Sequence, residues 1–119
     1  MTWRNIILVA LGGGLGACIR YLMSEWLQSG FKTTLFINVI GSLMIGIFIG
    51  ITQKNTSFEQ QWRLFLATGV CGGFTTFSTF SIENIWLLQE GKTSTAFFYI
   101  FISIFAGLLA AWAGLKITS

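Results

Sequence analysis

Five hydroxyl side chains, Thr75, Thr76, Ser78, Thr79 and Ser81, surround two phenylalanines, Phe77 and Phe80, immediately after the run Gly69-Val70-Cys71-Gly72-Gly73-Phe74. Phe77 and Phe80 are three positions apart and so share one helical face. Ring edges carry positive quadrupole charge, so co-facial rings set among hydroxyls can complement a small anion without holding it irreversibly. The Gly72-Gly73 pair weakens a helix. A break there would free carbonyls able to hold a small cation and amides able to face an anion, a recurring ion-site device in membranes. Thr34 and Asn38 are spaced i, i+4 on one face, as are Tyr99 and Ser103. Taken together these are hydrogen-bond donors with no fixed acid among them. That chemistry points to a neutral, donor-lined route for an anion.

Other chemistries have little to stand on. Histidine is absent, and Cys18 and Cys71 form no C-x-x-C pair, so a metal or redox motif is unsupported and both read as small packing residues. Glu83 reads as an interfacial charge rather than a buried proton carrier. The stretch Leu15-Gly16-Ala17-Cys18, with Arg4 and an apolar run before it, imitates a lipoprotein cleavage box. Further apolar spans follow it, so no cleavage is expected. Gly12-Gly13-Gly14-Leu15-Gly16-Ala17 contains a G-x-G-x-x-A match, but that fingerprint needs a surrounding βαβ unit. A chain of membrane spans has none.

The elements that position these residues follow from the charges. Only 9% of the 119 residues are charged, against 54% hydrophobic, with 14 glycines and no proline. Soluble domains carry about 25% charged residues. This excludes a disordered chain, a collagen-like repeat or a disulfide scaffold, and no nucleic-acid partner is expected. The charges leave uncharged stretches Thr33–Gln53, Leu64–Ile82 and Thr93–Leu115, of 21, 19 and 23 residues. As helices these reach roughly 28–35 Å, enough to cross a hydrocarbon core of about 30 Å. Asn5–Ile19 makes a fourth span when continued through Arg20 to Leu27, with Arg20 in its second half able to snorkel or line something polar. Trp3, Trp26, Trp62, Trp86 and Trp112 fall near span ends, where indole rings favour the headgroup level.

The fold class is therefore an all-α membrane protein, one domain over 1–119, with spans at about 4–27, 33–53, 62–88 and 93–116 and the third broken near the midplane. Short connections are expected at Ser29–Lys32, Lys54–Gln61 and Gln89–Thr93. Small residues recur every fourth position in all spans: Gly12 and Gly16; Ser42, Gly46 and Gly50; Gly69 and Gly73; Ala106, Ala110 and Gly114. Such stripes let backbones approach closely in lipid, within or between subunits. Arg4, Lys54, Arg63 and Lys116 fall on one side, Arg20, Lys32 and Lys92 on the other. That near-balance permits dual topology, with copies inserted both ways.

Three segments carry a family resemblance: Gly12 to Tyr21, Thr34-Leu35-Phe36-Ile37-Asn38-Val39-Ile40-Gly41-Ser42, and Gly72 to Ser81. Over nearly its whole length the chain resembles the Fluc (CrcB) fluoride channels. The resemblance implies an antiparallel homodimer of four-helix subunits in a bacterial plasma or inner membrane, with two fluoride pores among membrane lipid. Phe77 and Phe80 would match the pore phenylalanines and Asn38 the pore asparagine. Thr34, Ser78, Thr79, Tyr99 and Ser103 would match polar pore positions, and Arg20 the basic residue of a vestibule. Backbone carbonyls of Gly72 and Thr75 from both subunits would hold a structural sodium ion. One turn beyond Ser103 the chain has Gly107 where some relatives carry a further hydroxyl, which leaves the number of anion sites at that end open.

Fluoride is small and strongly hydrated, so a pore must replace its water with many donors that attract yet release it. No proton coupling is expected, for want of a membrane-centred carboxylate or histidine. The alternative, a small multidrug-type proton-coupled cation exporter, needs an acid deep in the first span, which has none before Glu25. A noncatalytic packing subunit would explain the glycine stripes and leave Asn38 and the hydroxyl-phenylalanine segment without a purpose.

Overall fold

The computed structural model describes residues 2–54 and 60–118, and every regular element among them is helical. Glu59 and most of the connection between Lys54 and Gln61 lie outside the described residues. Helix α1 (Trp3–Leu27) starts at Thr2, whose Oγ1 accepts the Asn5 N–H at 3.2 Å, and stops at Gln28, where φ is 68°. The turn is held by Thr33 Oγ1 donating to the Gln28 carbonyl at 2.6 Å. Helix α2 (Phe31–Lys54) follows. The third span occupies Gln60–Gln89 in two helical parts, α3 (residues 60–74) and α4 (Phe77–Gln89). Within α3 the stretch Leu64–Cys71 is wound as a π-helix. Helix α5 (Thr93–Thr118) completes the subunit.

Gly91 joins α4 to α5. Its φ of 77° lets its own N–H reach the Leu88 carbonyl at 3.1 Å while Lys92 N–H reaches Leu87 at 2.8 Å. This is the reciprocal pair of bonds that closes a helix through a left-handed glycine. The four spans are long and apolar enough to cross a bilayer.

The helices pack as two pairs, α2 with α5 and α1 with α3. Lipid removes the usual hydrophobic drive between helices, so close backbone approach has to supply the attraction. The glycines provide it. A Cβ on Gly12 would strike the Phe65 carbonyl, one on Gly16 the Val70 carbonyl, and one on Gly73 the Gly13 carbonyl. In the other pair, a Cβ on Gly46 would strike the Ala111 carbonyl and one on Gly114 the Leu43 carbonyl. Thr118 Oγ1 adds a hydrogen bond across this pair to the Ile47 carbonyl at 3.1 Å. The glycines of these stripes are therefore used inside the subunit. The outer surface is left to large apolar side chains such as Phe101, Phe105, Leu108 and Leu109.

Gly46→Val should separate α2 from α5 and cost about 1–3 kcal/mol, as overpacking does in a close-packed interior. Gly13→Ala, whose Cβ would come no nearer than 3.9 Å to the Gly69 carbonyl, should be nearly neutral. Thermal denaturation of the two detergent-purified variants checks the contrast.

Candidate functional site

Helical geometry lapses at two residues halfway along the third span. Thr75 (φ −79°, ψ 156°) and Thr76 (φ −148°, ψ 112°) are extended. The position differs from the glycine pair expected to break: Gly72 keeps φ −62° and ψ −40°, and Gly72–Phe74 stay helical. The reason is a choice of partners. Thr75 still closes α3, donating its N–H at 3.0 Å and its Oγ1 at 2.9 Å to the Cys71 carbonyl. Thr76 instead turns to Asn38 on α2: its N–H donates to Asn38 Oδ1 at 2.8 Å, and its carbonyl accepts from Asn38 Nδ2 at 3.1 Å. Thr76 Oγ1 then caps α4 by accepting the Thr79 N–H at 3.2 Å.

The carbonyls of residues 72–75 lose their regular backbone donors in this rearrangement, Gly72 and Thr75 among them. In a continuous helix Gly72 would accept from Thr76 N–H and Thr75 from Thr79 N–H. Those N–H groups are bound to Asn38 Oδ1 and Thr76 Oγ1. Between them, the Gly73 carbonyl accepts from Arg20 Nε at 3.3 Å, which places Arg20 beside the carbonyl end of α3. Among the described residues no cluster of His, Cys, Asp or Glu could hold a metal. The Gly72 and Thr75 carbonyls are hard oxygen donors of the kind that coordinates sodium, so the chemistry of this pair fits that ion.

Both residues line a recess of about 280 Å³ on the subunit surface, with Asn38, Gly41, Ser42, Ile45, Cys71, Thr76 and Phe77. Phe77 is 78% exposed at its edge. Its ring centroid lies 5.5 Å from that of the half-buried Phe80, with the planes tilted by 41°. Ser78 is exposed, with Oγ 3.2 Å from Thr76 Oγ1, and Thr79 Oγ1 accepts from Thr76 Oγ1 at 3.1 Å.

A second polar cluster lies further along α4 and corrects the reading of Glu83. Glu83 is only 8% exposed, packed inside the bundle. Thr34 Oγ1 donates to its Oε2 at 3.0 Å and Tyr99 OH to its Oε1 at 2.9 Å. Phe80 meets Tyr99 edge-on at 5.0 Å, and Phe31 packs on Tyr99 at 5.3 Å. Glu83 also lines a cavity of about 310 Å³ that runs out to Glu90 and Lys92, which pair at 3.4 Å. Glu83 lies six residues from the end of the Gln60–Gln89 span, so it is a buried carboxylate away from the span's middle. The spacing held the signal: Glu83 follows Phe80 by three residues and Thr79 by four, on the inward face.

The donors expected to be free are thus mostly engaged. Thr34 and Tyr99 donate to Glu83, and one Asn38 N–H donates to Thr76. Ser103 differs, since its Oγ is buried with no hydrogen-bond partner among the described residues. Asn84, which sequence reading passed over, donates Nδ2 to the Phe80 carbonyl at 2.9 Å and leaves Oδ1 buried and unpartnered.

Residues 7–115 match the family model described as CrcB-like protein, Camphor Resistance (CrcB). The chain belongs to the CrcB family. It is 45% identical over 119 residues to the fluoride-specific ion channel FluC of Flavobacterium psychrophilum, covering 96% of each chain. The proteins of the same name from Oceanobacillus iheyensis and Thermus thermophilus are 43% and 45% identical. Those matches cover 96% and 98% of this chain and 91% and 95% of the relatives. With its four apolar helices, this CrcB-family chain is a multi-pass membrane protein.

Within this CrcB chain, Asn38→Ala should release the Thr76 peptide. A lost pair of part-buried hydrogen bonds costs about 1–3 kcal/mol. Amide hydrogen exchange at Thr76 should then accelerate roughly tenfold or more relative to Glu90, whose N–H bonds to Trp86 are untouched.

Proposed function

We propose that the chain is a fluoride channel that works as an antiparallel homodimer with two pores, letting fluoride leave the cytoplasm down its electrochemical gradient. The observation that carries this reading is the lapse at Thr75 and Thr76, opening on the subunit surface halfway along a 30-residue span. Nonhelical backbone at membrane depth is tolerated only within protein or beside a water-filled cavity. A second copy laid over the recess satisfies that constraint. The names of the CrcB relatives, each a fluoride-specific ion channel, supply the ion.

An antiparallel pairing suits the charges. Arg4, Lys54, Arg63 and Lys116 at one end face Arg20, Lys32 and Lys92 toward the other, so neither orientation is strongly preferred. A two-fold axis through the recess would bring the Gly72 and Thr75 carbonyls of both copies together around one structural sodium ion. The same axis encloses Phe77, and the ring edges of Phe77 and Phe80 would face the ion beside Ser78, Thr79 and the second N–H of Asn38. Ser103 continues the donor line, its hydroxyl proton being free for an anion. Thr34 and Tyr99 would contribute when Glu83 releases them. Transport of this kind makes and breaks no covalent bond.

Proteoliposomes monitored with fluoride and chloride electrodes test the reading. Fast fluoride efflux with negligible chloride efflux is the expected result, unchanged when a proton gradient is collapsed. Phe77→Ala and Phe80→Ala should each slow fluoride efflux by about tenfold or more, equivalent to about 1.4 kcal/mol of lost stabilisation in the pathway. Intact dimers that pass no fluoride would overturn it, and efflux that follows the proton gradient would favour a coupled carrier built on Glu83.

A further inference from the structure

A cavity of about 350 Å³ opens between the start of α1 and the start of α3, at the far end of the third span from α4 and away from its interruption at Thr75 and Thr76. It is lined by Arg4, Leu8, Gln61, Trp62 and Phe65. Its lining is layered along the membrane normal. Arg4 and Gln61 lie at the outer end, while Leu8 and Phe65 are each about one helical turn deeper, roughly 5–6 Å. Trp62 stands between the layers, half exposed and edge-on to Phe65 at 6.4 Å and 82°. An indole in that position marks the headgroup level.

Among the described residues the outer layer carries positive charge and no negative charge. Among the described residues Arg4 is exposed with no hydrogen-bond or ion-pair partner, and no acidic side chain lines the cavity. A guanidinium with its donors unused recognises a phosphate oxygen with both charge and geometry. A free phosphate ion would use Arg4 and leave the apolar half of the cavity empty. A phospholipid fills both halves, phosphate against Arg4 and acyl chain along Leu8 and Phe65. We propose that this cavity is a binding site for an acidic phospholipid. The site stands apart from the Gly72–Phe77 region and does not depend on which ion the protein conducts. In an antiparallel dimer it would recur once in each leaflet.

Native mass spectrometry of the purified full-length protein, equilibrated with mixed phosphatidylglycerol and phosphatidylcholine, provides the test. Phosphatidylglycerol should be retained several-fold over phosphatidylcholine. Arg4→Gln, a change at an exposed position, should remove that preference. Leu8→Trp, which fills the apolar half, should lower retention of phosphatidylglycerol. Arg63→Gln, at the same end but outside the cavity, should leave the preference intact, and added inorganic phosphate should not compete. Equal retention of the two lipids by the unmodified protein would overturn the proposal. So would a preference that survives Arg4→Gln, falls equally with Arg63→Gln, or is displaced by inorganic phosphate.

Discussion

One side chain holds the third span out of helical register. Asn38 grips the Thr76 peptide on both its faces, accepting its N–H and donating to its carbonyl. A helix in hydrocarbon gives up backbone hydrogen bonds only when something equally polar replaces them. The amide of Asn38 is that replacement, and its removal leaves the Thr76 N–H and carbonyl without those partners. The geometry around the recess follows from it. The Gly72 and Thr75 carbonyls lose their donors, Thr76 becomes a cap for α4, and Phe77 starts a new helix at the subunit surface.

Helix α2 is the element that makes this possible. It presents Thr34 to Glu83 and Asn38 to Thr76, and Gly46 and Gly50 bring its far half against α5. Helix α1 supports the same interruption from the opposite side. Gly12, Gly16 and Gly73 bring α1 against α3, and Arg20 takes the Gly73 carbonyl. Polar groups at this depth are costly when unpaired and rigid when paired. Glu83 illustrates the second case, with each carboxylate oxygen receiving one hydroxyl from a different helix. Ser103 and Asn84 illustrate the first, each with a buried oxygen that has no hydrogen-bond partner among the described residues.

Much of this was legible in the residues alone. The spacing of eleven charges marked out four apolar helices, and the fourfold recurrence of small residues marked their contact faces. What the stripes touch was not legible, because small-xxx-small spacing is the same for a contact within a subunit and one between subunits. The site of the interruption was misplaced for a related reason. Glycine propensity pointed to Gly72 and Gly73, whereas the outcome depends on Asn38, 38 residues from Thr76 in the chain. The burial of Glu83 is not visible from its charge alone. Its inward position follows from the helical spacing to Phe80, and its tolerance of burial from Thr34 and Tyr99, neither of which a local window contains.

In the proposed pairing a second copy covers the surface around Thr75 and Thr76. Spin labels in membranes measure it directly, through collision with oxygen dissolved in the lipid. Ser78 and Leu108 are both exposed on the isolated subunit. With Cys18 and Cys71 replaced by serine, a label at Ser78 should be shielded from lipid while one at Leu108 remains accessible. Equal lipid accessibility at the two positions would mean that the recess faces the bilayer uncovered, and would contradict the account.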